Sequence, residues 1–157
     1  MNIFETNKEK ATACYQSNTA FTEFIMPKVK EILEKHGEKT QEEYFRIDCI
    51  GWRQNSSKFS NSIPSGFEPH CWDLDVAVEH ENNPADWLDE VVKLAHIRCE
   101  LRVVIGYVPI GRNDNEYLNY TAESLMKLKC KENVKQGAFL VILGNSNTKS
   151  EKGLFRV

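Results

Sequence analysis

At 157 residues, with 41% hydrophobic and 27% charged side chains, the chain has the size and balance of one folded domain that can bury a core. It has no run of about 18 apolar residues and no basic, apolar leader at Met1-Asn2-Ile3-Phe4-Glu5, so neither a membrane span nor a signal peptide is expected. A formal net charge of −3 is not the footprint of a dedicated nucleic-acid binder, and scattered cysteines without a C-x-x-C pair predict reduced thiols in a cytoplasmic protein.

Residues 1–16 carry little periodicity and read as a short N-terminal arm or a frayed helix of a single domain, 1–157. From Ser17, the residues Phe21, Ile25, Val29, Ile32, Leu33 and His36 recur at helical spacing. Pro27 predicts a kink or restart there, and Gly37 a stop. Glu43 to Trp52, centred on Tyr44-Phe45-Arg46-Ile47-Asp48-Cys49-Ile50, reads as one strand. On that strand Asp48 shares a face with Tyr44, Arg46 and Ile50, an unusual place for an acid unless it lies at an edge or a site. Residues 53–71, rich in Ser, Asn, Pro and Gly, predict a long loop within the domain.

Trp72 to Asn82 alternates apolar and polar residues and reads as a strand. Leu74, Val76, Val78 and His80 point one way, and Asp73, Asp75, Ala77, Glu79 and Glu81 the other. So much negative charge on one face is costly unless water, a cation or a proton compensates it. Asn82-Asn83-Pro84 ends the strand and starts a helix. Leu88, Val91, Val92, Ala95 and Cys99 form its apolar stripe, with Lys93 mid-arc on the polar side and Glu90 at the stripe's border. The nearly continuous apolar run Leu101 to Val108 predicts a strand covered on both faces.

Strand, helix and apolar strand in succession indicate a parallel crossover. Glu79 and Glu81 then lie at a strand's C-terminal end, where open α/β sheets place their sites, and Asp73 and Asp75 become peripheral. After a loop at 109–115, residues 116–133 read as a helix whose end carries Lys127, Lys129 and Lys131, with Lys135 beyond it. Residues 137–144 read as another buried strand, and 153–157 as a short last one. The expected fold class is α/β: a central mixed sheet flanked by helices, in the order α-β-β-α-β and then α-β.

This order, with Asp48 on one strand and Glu79-x-Glu81 on the next, 31 residues after Asp48, resembles the PD-(D/E)xK nuclease superfamily, the restriction-endonuclease-like fold. The topological resemblance covers roughly residues 17–144, and the motif covers Asp48 and Glu79-x-Glu81. It implies a DNA phosphodiester hydrolase in which Asp48, Glu79 and Glu81 hold Mg²⁺ or Mn²⁺. The chain departs from the family's motif at Glu81, where lysine is expected. Some members carry Glu there, and Lys93 on the following helix is similar to a lysine that has migrated. Glu43 is a candidate additional acid. The resemblance also implies DNA as partner, with a homodimer as one way of cutting both strands.

Each of these residues also has a plainer reading. Glu79 and Glu81 suit the solvent side of an amphipathic strand, Asp48 a partner for Arg46 or Arg53, and Lys93 a solvated helix face. His80, opposite the acids, reads as a packed histidine. His70-Cys71 with His80 matches no zinc spacing. The competing functional class is an interaction protein with the same fold and no chemistry, which the missing lysine and the acidic net charge favour. A metal-dependent hydrolase of small phosphates is a third.

Overall fold

The computed structural model describes residues 10, 14, 17–55, 72–109, 112–130, 132 and 136–145. Helix α1 spans Asn18–Lys35. Ser17 caps it from an extended conformation, its Oγ accepting the Ala20 N–H at 3.3 Å. Pro27 lies inside the helix, which runs on past it. The buried face is Phe21, Phe24, Ile25, Met26 and Leu33, whereas Ile32, expected inward, is exposed. The chain leaves α1 through Gly37 at φ 86°, a conformation that glycine adopts without strain.

The single strand expected over Glu43–Trp52 is instead a hairpin of β1 (Lys39–Tyr44) and β2 (Ile47–Gln54). The chain reverses through Phe45 and Arg46, at φ 49° and 62°, with Glu43 at φ 53°. None of these is the Gly, Asn or Asp that normally marks such a turn, so the aromatic run reads as continuous strand. Asp48 and Ile50 do share a face, but Tyr44 belongs to the other strand.

Strand β3 (Trp72–His80) pairs antiparallel with β2, and β4 (Leu101–Val108) and β5 (Ala138–Asn145) follow in parallel. The sheet order is β1-β2-β3-β4-β5. Helix α2 (Trp87–Ala95) links β3 to β4, and α3 (Asp114–Lys127) links β4 to β5. Among the described residues the fold is therefore α/β, a mixed five-stranded sheet with three helices, with two strands of a hairpin where one strand was expected over Glu43–Trp52. Helix α2 packs on β3, β4 and α3, while α1 packs on β1 and β2. One core, under α2, includes Ile50, Ala77, Val91, Leu94 and Val104. The other, under α1, includes Phe21, Phe24, Cys49, Val78 and Tyr107.

The β2–β3 register corrects the reading of β3. Gly51 faces Val76 but Trp52 faces Leu74, so Asp75 is the extra residue of a β-bulge. Leu74 therefore packs toward the α2 side, while Val76 and Val78 pack under α1. Asp75 is itself buried.

The end of α2 is met by the fully buried Arg102, whose Nε donates to Leu94 O in the last turn at 3.1 Å and to Ile97 O just beyond the helix at 2.8 Å. Gly106 lets α2 approach β4, since a Cβ there would lie 2.7 Å from the Trp87 ring. Helix α3 stops at Lys127, short of the expected 133, as Leu128 turns extended. Lys127 and Lys129 are exposed. Lys131, Lys135, His70-Cys71, the last strand at 153–157, most of the arm and most of the 53–71 loop lie outside the described residues. Among the described residues, no helix is long and apolar enough to cross a membrane.

Candidate functional site

The β2–β3 ladder runs through Ile50↔Ala77 and Cys49↔Val78. Asp48 and Glu79 are the next residues on these strands. Opposed residues share a face and successive residues alternate, so the two carboxylates leave the sheet side by side beneath α2. Asp48 Oδ2 accepts the backbone N–H of His80 at 2.7 Å. Glu79 is only 2% exposed.

Helix α2 brings Lys93 over this pair. Its Nζ lies 2.7 Å from Glu79 Oε1, pairs with Glu90 one turn earlier, and donates to the Arg46 carbonyl at 3.0 Å. Lys93 thus faces the carboxylates rather than open solvent, as its place on the polar arc alone suggested. One side chain joins β3, α2 and the β1–β2 turn.

Burial governs the electrostatics. It pushes the Glu79 carboxyl up to about 8, against the Lys93 hydrogen bond and with help from the negative charges of Asp48 and Glu90. Burial also raises Asp48, opposed by the His80 N–H and Lys93 and reinforced by Glu43 and Glu90. For Lys93, burial works downward, but its bonds to Glu79 and Glu90 outweigh it and hold the ammonium above its usual range. With no cation bound, Glu79 therefore keeps a proton near neutral pH.

Glu81 stands apart. Its N–H still bonds Ile105 O at 2.9 Å, but its Oε1 accepts the Asn83 N–H at 2.6 Å in the turn after β3. Among the described residues, no three His, Cys, Asp or Glu side chains converge on a cation position, so Asp48, Glu79 and Glu81 do not form one three-carboxylate cluster. The remaining pair has the donor chemistry of a magnesium site. Mg²⁺ prefers hard oxygen ligands, takes one or two carboxylates and keeps several waters. Asp48 and Glu79 supply such oxygens, and a bound cation would offset the cost of ionising both.

His80 faces the other side of the sheet. Its Nε2 lies 2.9 Å from Tyr107 Oη and its Nδ1 3.2 Å from Thr22 Oγ1, and burial pushes its pKa down to about 4. It is the packed histidine that alternation predicts. Glu90 was legible only as a stripe-edge charge, although its i, i+3 spacing to Lys93 on the helix after the acidic strand is the available signal. The role of the Arg46 carbonyl leaves no trace in residue type.

A second acid–cation cluster lies across the bulge. Arg53 Nε is 2.8 Å from Glu38 Oε1 and 3.1 Å from Asp75 Oδ2, and its Nη2 is 2.5 Å from the same Glu38 oxygen. Arg53 thus serves Glu38 and Asp75, not Asp48. Asn55 donates to Asp73. No protein-family model, curated protein or solved structure matches this chain.

Proposed function

We propose that the protein is a metal-dependent nuclease that hydrolyses DNA phosphodiester bonds at the Asp48–Glu79–Lys93 cluster. The observation that carries this reading is the 2.7 Å approach of Lys93 Nζ to Glu79, beside Asp48 on the neighbouring strand. It supplies an acid pair and a lysine, with the lysine coming from α2 instead of from position 81. Asp48 and Glu79 would hold Mg²⁺ or Mn²⁺, which supplies charge neutralisation at the phosphate and acidifies water.

The protein's own groups then have separate tasks. Asp48 is oriented by the His80 N–H. Glu79 would have to give up its proton to serve as a ligand. The Lys93 ammonium orients the attacking water and offsets charge on the phosphoryl oxygens. The water oxygen bonds to phosphorus as one phosphorus–sugar oxygen bond breaks. The water's proton passes to a carboxylate of the cluster, and the leaving oxygen takes up a proton from solvent. Glu81, drawn toward Asn83, is assigned to shaping the rim of the site.

The second reading is an interaction protein of the same fold without chemistry. It is favoured by the pairing of Lys93 with both Glu79 and Glu90, which compensates the buried charge without a cation. Cleavage of labelled DNA in Mg²⁺ or Mn²⁺ separates the two. The nuclease reading expects activity that is lost in Asp48→Asn and Glu79→Ala. The interaction reading expects none from any variant.

A further inference from the structure

The tip of the β1–β2 hairpin combines three features that the sheet does not need. Phe45 is 82% exposed, the most exposed of the large apolar side chains among the described residues. Both tip residues, Phe45 and Arg46, hold left-handed φ values of 49° and 62°, where side chains are disfavoured and Gly or Asn would serve a turn more easily. The Arg46 carbonyl is bonded to Lys93 Nζ, which pairs with Glu79. The tip is thus fixed within one side chain's reach of the carboxylates.

Phe45 is also held in orientation. Its ring packs edge-on against Tyr44, with centroids 4.7 Å apart at 87°. Tyr44 in turn meets Trp72 at 5.6 Å, and Trp72 meets Trp52 at 5.6 Å. The T-shaped contact occupies one ring of the pair at its edge and leaves a face of the exposed Phe45 ring open. Beside it, the exposed Arg46 has no ion-pair partner among the described residues.

We propose that this tip seats an unpaired nucleotide, Phe45 stacking on the base and Arg46 meeting the adjoining phosphate, so that the substrate class is single-stranded nucleic acid. The inference rests on the nuclease reading of the neighbouring cluster. Every unpaired base offers a π face to an exposed ring, and such stacking tolerates any sequence. In a duplex those faces are already stacked, and only the groove edges and phosphates are presented. Duplex binding therefore leans on many phosphate contacts, and neither the single tip arginine nor the net charge of −3 favours that mode. A single ring beside one cation and a hydrolytic site suits a splayed strand.

Equilibrium binding of a fluorescent single-stranded oligonucleotide and of the same sequence as a blunt duplex, measured in EDTA, tests this without cleavage. The intact chain should prefer the single strand. Phe45→Ala should weaken single-strand binding ~10-fold and leave duplex binding within about twofold, whereas Phe45→Trp should restore it. Phe45 is exposed, so its loss opens no cavity, and the thermal unfolding midpoint should hold. Duplex preference in the intact chain, unchanged single-strand affinity in Phe45→Ala, or equal losses on both ligands would each overturn the proposal. Cleavage in Mg²⁺ by the intact chain and Asp48→Asn is the separate arm. Absence of cleavage with Phe45-dependent single-strand binding would remove the hydrolytic reading alone. Cleavage with Phe45-independent binding would remove the stacking site alone.

Discussion

Among the described residues, two clusters each set a pair of acids against one cation, both acids buried in one and Asp48 only half-buried in the other, and they differ in what the cation leaves free. In the Glu38–Arg53–Asp75 cluster, the guanidinium uses its fork on both acids and ties together the chain after α1, β2 and the bulge of β3. An arginine does not deprotonate, and a fork matched to two carboxylates leaves little room for a ligand. In the Asp48–Glu79–Lys93 cluster, the cation is a point charge on a flexible stem. Glu79 is 2% exposed and retains its proton to about 8, and the acids stand just beyond the Cys49–Val78 rung of the ladder. The first arrangement is a staple. The second, on the function proposed for it, is one that a cation and a substrate phosphate would complete.

The largest effect that separates them concerns cleavage. Asp48→Asn or Glu79→Ala should lower Mg²⁺-dependent cleavage of DNA by ~10³-fold or more, roughly 4 kcal/mol of barrier. Arg53→Met should stay within about threefold of the parent, which initial rates on one labelled oligonucleotide will show. A comparable loss in Arg53→Met would erase the distinction.

The next effect is on stability, through Glu79. Its folded pKa of about 8 lies above the ordinary 4.5, so its contribution is fully present below pH 4.5 and is lost as pH rises through about 8. Glu79→Gln should match the parent at acid pH and exceed it at pH 8, by on the order of 2–4 kcal/mol in urea unfolding. His80, with its pKa lowered to about 4, changes stability in the opposite direction between about pH 4 and 6.5, but it is present in both proteins and cancels in the difference. Mg²⁺ affinity should climb over the same range, because a ligand carboxylate must release its proton. Calorimetric titration at pH 6.5 and 8 measures that rise, and a flat affinity would count against Glu79 as a ligand.

The smallest effect compares the cations. Arg53→Met strands Glu38 and Asp75 and should lower the urea midpoint at neutral pH, by less than loss of a fully buried pair would because the Arg53 side chain is 58% exposed. Lys93→Met should cost less, under about 1 kcal/mol, since Glu79 can remain protonated, while cleavage falls sharply. Unfolding and cleavage measured on the same two variants should therefore rank them in opposite orders.

Much of this contrast was legible in residue order, and the rest depended on contacts that residue types do not announce. The period-2 pattern of β3, the apolar run of β4 and the helix between them indicated the parallel crossover. That placed Glu79 at a strand end and His80 on the opposite face. The hairpin tip was hidden because Tyr44-Phe45-Arg46-Ile47 favours extended backbone and carries no turn residue, so tertiary pairing overrode local preference. The bulge at Asp75 was hidden for a related reason: an added residue shifts register without changing composition, and it moved Leu74 to the other core. Lys93 looked solvated on its helix wheel because the wheel does not show what the neighbouring strand presents. Glu81 looked catalytic because alternation stops where β3 does, and the Asn83 N–H then draws its carboxylate away.

The most direct test of the central claim is cleavage of labelled single-stranded and duplex DNA in Mg²⁺ by the intact chain beside Glu79→Ala. Metal-dependent cleavage by the intact chain is expected, abolished by EDTA and absent from Glu79→Ala. Equal cleavage by both proteins, or none by either, would contradict it.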